Sequence, residues 1–361
     1  MIIRILLFIT QLFICFSLFG QISIIDSTSN TPIPAVNIFD NHGNLLFISD
    51  NNGLIDQNKL KKVSLNDTLL FQHISFINKH VTLQDILLER KIKLIPRIAI
   101  IEEIIVNNKP KDWLVLRGYF RSLQRFDGNY KSFADGIVSY YIQLNVKRPK
   151  VKHLTEDYRI FTNEKVIEEF KSAMGPFSEP PEIPRIKQQP LHLNLPYKYY
   201  FKNEGEALSF FFQETKIGEM KTIRDGKIQS SIDFVRPNTE VKWKFFRIEA
   251  IIKSQVQIET YNSNNLNEAS IANLESFYRN NIGSIKRKKR LGHIPFETLT
   301  NFFVIERSFL SNDEVAKIGK SFDKSSFLEG KSRYDNNFWL EIENFNIPPL
   351  PKGISKQLKQ Y

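Results

Sequence analysis

The sequence predicts an all-β N-terminal sandwich of about seven short strands, followed by an α+β domain with a long-stranded antiparallel sheet and a few helices. Three observations point there. Residues 21–106 alternate apolar and polar side chains in short runs, broken by Pro, Gly, Asn and Asp, which is the pattern of half-buried strands joined by tight turns. Longer alternating runs follow at Ile137–Val146 and Ile248–Ile258. Before the first and after the second of these, apolar residues recur at helical spacing, following Lys111 and again following Asn267.

Composition narrows the class. The 361 residues carry 50 Lys and Arg against 39 Asp and Glu, a formal charge of +11, and 42% are hydrophobic, enough for ordinary cores and too much for a chain disordered throughout. That charge favours acidic surfaces such as lipopolysaccharide, anionic lipid or nucleic acid. The first twenty residues read as a signal peptide. Arg4 supplies its positive end, Ile5 to Phe19 is apolar apart from Thr10, Gln11 and Ser17, and Gly20 is a small residue before cleavage at Gln21. Because the uncharged run extends to Ile25, an uncleaved anchor is the competing reading. Cys15, the sole cysteine, lies inside this segment behind a bulky Ile14, so neither lipidation there nor a disulfide in the exported chain is expected.

In chain order, Ile22-Ser23-Ile24-Ile25-Asp26 is a strand running into polar turn residues. Pro32 and Pro34 exclude helix before the extended run ending at Ile38, and Asp50-Asn51-Asn52-Gly53 is a tight turn with glycine where positive φ is easiest. Asp67 to Ile74 alternates, with Leu69 and Phe71 on one face and Leu70 and Ile74 on the other. The sandwich then continues through Phe76 to Leu83, and Lys91 to Ile95 closes it. A strand ending in Asp, a proline-containing approach and an Asp-x-x-Gly turn, in that order, resemble the carboxypeptidase-regulatory-like, transthyretin-like domain of exported Bacteroidetes-type proteins; Ser75-Phe76 stands where that family has Gly-Tyr. Ile101-Glu102-Glu103-Ile104-Ile105-Val106 is similar to the segment that follows the domain in many such proteins, TonB-dependent receptors included, but the remaining length is too short for a large barrel. The resemblance implies a non-catalytic interaction module over residues 21–106.

Asn107 to Pro110 reads as a linker, and residues 111–361 as a separate domain. Trp113, Leu116, Phe120, Leu123 and Phe126 form one helical stripe and Arg117, Arg121 and Arg125 another, which predicts an amphipathic helix ended by Asp127-Gly128. Strands follow at Ile137–Val146 and at Val151 to Phe161. Six of the sixteen prolines then fall between Gly175 and Pro196, the mark of a long irregular loop acting as a cover or a connector. Extended aromatic runs at Tyr197–Phe201 and Phe210–Phe212 come next, then a hairpin about Asp225-Gly226 and two strands within Val241–Tyr261. A helix is predicted over Asn267 to Asn280, a strand over Thr298–Ser308, and a capped helix after Ser311-Asn312-Asp313-Glu314. Ile347 to Pro351 docks the tail, and Gly353 to Tyr361 closes as a helical turn or two.

Motifs for catalysis are sparse. His153-Leu154-Thr155-Glu156 has the His/Glu spacing of a zinc carboxypeptidase, with His192 or His293 as a third ligand, but positions three apart on a strand face opposite ways. Nucleophile-elbow, phosphate-loop and dinucleotide motifs are missing from the sequence, and the adjacent pairs Glu102-Glu103 and Glu168-Glu169 diverge on any regular element. His42, His73 and His80 read as satisfied or solvated histidines of the sandwich. The sharpest local feature is Lys286-Arg287-Lys288-Lys289-Arg290, an exposed basic loop on this reading and a possible contact for an anionic envelope surface. The expectation is an exported, non-catalytic binding or scaffolding protein of the periplasm or the periplasmic face of the outer membrane. It needs no metal or cofactor, and its partners are an outer-membrane protein, anionic lipid or lipopolysaccharide, or carbohydrate, with no role for nucleic acid. A periplasmic carrier of an apolar ligand and, further off, a zinc metallopeptidase are the rival readings.

Overall fold

A computed structural model of the chain describes residues 21–41, 45–50, 52–97, 112–147, 149–174, 180–223, 226–235, 239–245, 247–287, 292–328, 330–340 and 354–360. The signal segment, the linker at 107–110, Ile347–Pro351 and the cations Lys288, Lys289 and Arg290 lie outside them. Contacts group the chain into two compact units, Met1–Arg97 and Ile98–Tyr361.

The first unit is two small sheets face to face. Its elements are β1 (Ile22–Asp26), β2 (Asn37–Phe39), β3 (Leu45–Ile48), β4 (Leu54–Ile55), β5 (Thr68–Gln72), β6 (Lys79–Thr82), helix α1 (Leu83–Glu89) and β7 (Lys91–Leu94). One sheet runs β4-β1-β7, with β1 and β7 parallel, and the other runs β3-β2-β5-β6. Alternation decides what each strand buries. In β7, Ile92 and Leu94 are buried and Lys91 and Lys93 exposed; in β5, Leu69 and Phe71 are fully buried. These join Ile22, Ile24, Val36 and Ile38 in one core. Helix α1 is a departure from the strand-only reading. Thr82 caps it by accepting from the Asp85 N–H at 3.2 Å, and Arg90 ends it at φ 54°. Its buried Leu83 and Ile86, three apart, are too few for periodicity to reveal.

The second unit is built on one sheet of twelve antiparallel strands. It comprises β8 (Trp113–Phe126), β9 (Asn129–Gln143), β10 (Val151–Thr162), α2 (Glu164–Met174), β11 (Tyr199–Asn203), β12 (Ala207–Phe212), β13 (Thr215–Thr222), β14 (Ile228–Asp233), β15 (Val241–Phe245), β16 (Ile248–Tyr261), β17 (Leu274–Arg287), β18 (Ile294–Leu310), α3 (Asn312–Ile318), α4 (Ile354–Gln357) and β19 (Lys359–Gln360). The order is β11-β12-β13-β14-β16-β17-β18-β8-β9-β10-β19, and β15 pairs with β16. The unit is therefore mostly β, a long-stranded antiparallel sheet with a few helices as expected.

Two predicted helices are strands. Residues 113–126 form β8, because the strand is buried on both faces: Leu116, Phe120 and Phe126 face one way and Trp113 and Leu123 the other. With both faces apolar, period two is erased and a helical stripe can be drawn by chance. Asp127-Gly128, read as a helix end, is the β8–β9 hairpin turn, with φ 49° and 76°, the two positive values a type I′ turn requires. The predicted helix at 267–280 is a pair of 3-10 turns, Leu266–Glu268 and Ile271–Asn273, running into β17. There Phe277 and Tyr278 are both buried but on opposite faces.

The free edge of β10 is closed by residues 323–333. Asp323 N–H donates to His153 O at 3.0 Å, and Tyr158 and Arg333 exchange backbone hydrogen bonds of 2.6 and 2.9 Å. Ser311 begins α3 with the expected capping box, its hydroxyl accepting from the Glu314 N–H while the Glu314 carboxylate accepts from the Ser311 N–H at 2.8 Å.

Two outcomes follow for the first unit. Gly53 has φ +68°, and a Cβ there would stand 2.6 Å from Ile24 O, so Gly53→Ala should lower stability by about 2 kcal/mol or more, read from the urea midpoint. His73 is buried, and desolvation together with the nearby Arg97 pushes its pKa down to about 3. The unfolded chain binds the extra proton between about pH 6.5 and 3, so stability should fall with pH across that window by up to roughly 1.4 kcal/mol per pH unit. His73→Gln should flatten that slope in pH-dependent denaturation, and an unaltered slope would refute this assignment.

Candidate functional site

The two faces of the large sheet carry different chemistry. On the back, α3 sets Val315 against Trp113, Val115 and Tyr141, and Trp113 Nε1 donates to Asn312 Oδ1 at 2.8 Å. Beside that patch the predicted arginine row is real but belongs to a strand, since residues four apart share a strand face as well. Each of the three meets a partner. Arg117 Nε donates to Glu156 at 2.9 Å, Arg121 Nε to the Tyr119 hydroxyl at 3.2 Å, and Arg125 lies 3.4 Å from Glu297. Asp135, fully buried, accepts from the Tyr119 hydroxyl at 2.8 Å and from Arg159 at 2.9 and 2.5 Å, and the Arg159 guanidinium lies 4.1 Å from the centre of the Trp339 ring. Buried charges survive here because each finds an opposite charge or a donor.

The front face holds the main apolar core, including Leu116, Phe120, Val138, Tyr140, Phe210, Met220, Phe277 and Phe302. Among the described residues its cover holds no sheet or long helix. The proline-rich segment 180–196 places Ile183, Ile186 and Leu191 against it, helped by Ile271 and Leu328. A few polar contacts hold that segment: Leu191 N–H donates to Glu259 Oε2 at 2.9 Å, Gln124 Nε2 to Pro180 O at 3.2 Å, and the Tyr140 hydroxyl to Pro184 O.

A polar belt crosses this apolar face. Strand register sets Gln257, Arg279, Thr300 and Ser122 in one row, and Gln255, Asn281, Thr298, Gln124, Ser132 and Thr162 in the next, the latter spanning six strands. Phe277, Phe302 and Phe120 bound it on one side. On the other, Phe126 and Ile285 pack under Val166 and Phe170 of α2. At the β10 end the belt opens into a cavity of about 380 Å³ lined by Lys131, Ser132, Thr162, Glu164, Glu168 and Lys171 together with Ile160, Ile167, Pro180 and Pro181. Lys131 Nζ and the Ser132 hydroxyl both donate to Gln124 Oε1, at 2.8 and 3.0 Å, so the cavity's polar wall is tied to the strand floor. At the other end Gln255, Gln257, Arg279, Asn281, Thr298 and Thr300 are each half-buried.

The predicted zinc pair does not converge. His153 lies across from Tyr140 on the front face, with Nε2 3.1 Å from Ser325 O, whereas Glu156 points to the back, accepting from Arg117 and from the Ser139 hydroxyl at 2.6 Å. His192 is buried on the turn Leu191–Leu193, and His293 lies 3.6 Å from Glu249. Among the described residues no three His, Cys, Asp or Glu side chains stand together as a metal site. His80 is exposed on β6, His42 lies outside the described residues, and so do Glu102 and Glu103; Glu168 lines the cavity. Of the basic run, Lys286 and Arg287 are the half-buried end of β17, opposite Glu249 and Ile248, and not part of a loop.

No protein-family model matches the chain, and no curated protein matches it. Among solved structures it is similar to one described as "Lipid-protein interactions in lipovitellin", at 8% sequence identity and a TM-score of 0.25, over 63% of this chain and 27% of that one. The chain thus spans about a quarter of that structure's length. A score that low shows no shared fold.

The belt could not be read from sequence, since its two rows draw on strands scattered from Ser122 to Thr300. The weak signal was the break in apolar alternation at Gln255-Val256-Gln257 and Arg279-Asn280-Asn281.

Glu259 borders the belt. Burial holds its carboxyl above the ordinary range, opposed by hydrogen bonds from Tyr261, the Leu191 N–H and Gln257. A raised folded pKa means that the native state binds the proton more tightly, so this group's contribution is greatest at acidic pH and declines as pH rises through the folded value. Glu259→Gln keeps an acceptor and removes the titration. Its stability relative to the parent should therefore improve as pH rises above the ordinary carboxylate range and level off beyond the folded value in denaturant melts, and a difference that stays flat would contradict this account.

Proposed function

We propose that this chain is an exported, non-catalytic binding protein of the bacterial cell envelope, with residues 21–106 as an interaction module and the large-sheet unit as its ligand-binding part. The observation that carries the reading is the cavity of about 380 Å³ at the end of the polar belt. It falls within the size range of small-molecule sites, its floor is a hydrogen-bonded sheet, and its wall mixes aliphatic side chains with hydroxyls and both signs of charge. Such a lining suits a small polar or amphiphilic ligand. The basic run Lys286–Arg290, although Lys286 and Arg287 are half-buried at the end of β17, supports contact with anionic lipid or lipopolysaccharide, a cation near such a surface contributing about 1 kcal/mol.

The second reading, a carrier of an apolar ligand, is favoured by one feature. The aliphatic front face beyond the belt is covered by the irregular segment 180–196, whose displacement breaks fewer hydrogen bonds than parting two strands would. The metallopeptidase reading is dropped, because His153 and Glu156 face opposite ways.

The binding reading is tested by thermal unfolding of the intact chain against short neutral oligosaccharides and short-chain anionic lipids. At least one should raise the midpoint, a ligand at a hundred times its Kd adding about 2.7 kcal/mol. Thr162→Phe, which fills the cavity, should abolish the rise. No rise with any compound, or one that Thr162→Phe leaves intact, would count against the cavity as the site.

A further inference from the structure

Arg279 and Asn281 lie two apart on β17 and point to the front face, at the end of the belt remote from the cavity. Arg279 Nε and Asn281 Oδ1 are both buried without a hydrogen-bond partner among the described residues, although Asn281 Nδ2 donates to Thr298 Oγ1 at 3.0 Å. The charges facing the guanidinium are Glu182 and Arg185 of the covering segment, and these two are paired with each other. A guanidinium N–H and an amide oxygen are thus left without a partner on one strand face, on residues whose Cα atoms stand roughly 6.7 Å apart.

We infer that Arg279 and Asn281 form a subsite for an acidic saccharide residue, with its carboxylate on the guanidinium and a ring hydroxyl donating to Asn281 Oδ1. The argument is one of complementarity. A planar guanidinium matches a carboxylate, whereas the amide oxygen demands a donor, which a bare anion does not carry. A sugar ring with a carboxylate at one end and hydroxyls at the other spans the distance between the two. The flanking Gln255, Gln257, Thr298 and Thr300 are neutral and half-buried, each able to donate and to accept, as hydroxyl-rich ligands need.

The inference rests on the reading of this unit as a binding unit, but its test uses different residues. Trigalacturonate, maltotriose and inorganic phosphate are titrated into the full chain by calorimetry, alongside Arg279→Gln and Asn281→Asp, the latter placing a carboxylate beside the guanidinium. Trigalacturonate should bind saturably, at least about tenfold more tightly than maltotriose or phosphate, and more weakly as salt rises. Each variant should weaken it about tenfold or more while the far-ultraviolet circular dichroism stays that of the parent. Absent binding of trigalacturonate, equal affinity for maltotriose, tighter binding of phosphate, or variants that fold and bind like the parent would each overturn the assignment. Because Thr162 lies at the other end of the belt, such a result would leave the cavity reading standing.

Discussion

Burial of strands β8 and β9 on both faces is the constraint from which the rest of the large sheet follows. Tyr119, Tyr130 and Tyr140 are among the largest fully buried side chains, and each occupies a strand whose two neighbours are also strands. A strand buried on both faces has to find a cover for each. The front cover is an irregular proline-rich segment and α2, and the back is met by α3 and, across β8 to β10, by a seam of paired charges. Apolar packing alone would have been simpler for the back; Asp135, Arg159 and Glu297 instead require partners in fixed places, which ties β8, β9, β10, β17 and β18 into one register.

The front face achieves something different with polar residues. A row of amides and hydroxyls across six strands separates the aromatic layer of Phe120, Phe277 and Phe302 from the smaller apolar cluster beneath α2. The cost of half-burying such groups is modest where they bond to one another, as Ser132 and Lys131 do with Gln124, and larger where an atom such as Arg279 Nε is left alone. The belt is uneven in that respect, satisfied at the cavity end and under-bonded at the β17 end.

What the sequence made legible tracks how one-sided each element is. The sandwich strands, the hairpin between β13 and β14, the long strands at Val151 and Thr298 and the capping box at Ser311 all showed through, because each has one wet face or a local hydrogen-bond signature. Strands β8 and β17 did not, because burial on both sides removes the alternation, and Trp113, Leu116 and Phe120 then fit a helical stripe as well as a strand. The belt and its cavity were illegible for a third reason. Their residues meet only through pairings between strands far apart in the chain, and nothing local distinguishes Thr162 or Gln255 from any other polar strand residue.

The pairing of β18 with β8 sets a condition on how the protein is made. Trp113 and Asn312, joined by a hydrogen bond, are 199 positions apart, and every residue of β8 meets its β18 partner at a comparable separation. The strands from β11 to β18 and those from β8 to β10 can each pair locally, yet the edges of β18 and β8 stay open until the chain has emerged past Leu310. Contacts of such range are slow to close, and the waiting edges are open to pairing with other chains. A newly made molecule would thus spend its most vulnerable interval with two half-sheets, and whatever holds them apart from neighbouring chains during that time would govern yield more than the stability of the finished sheet.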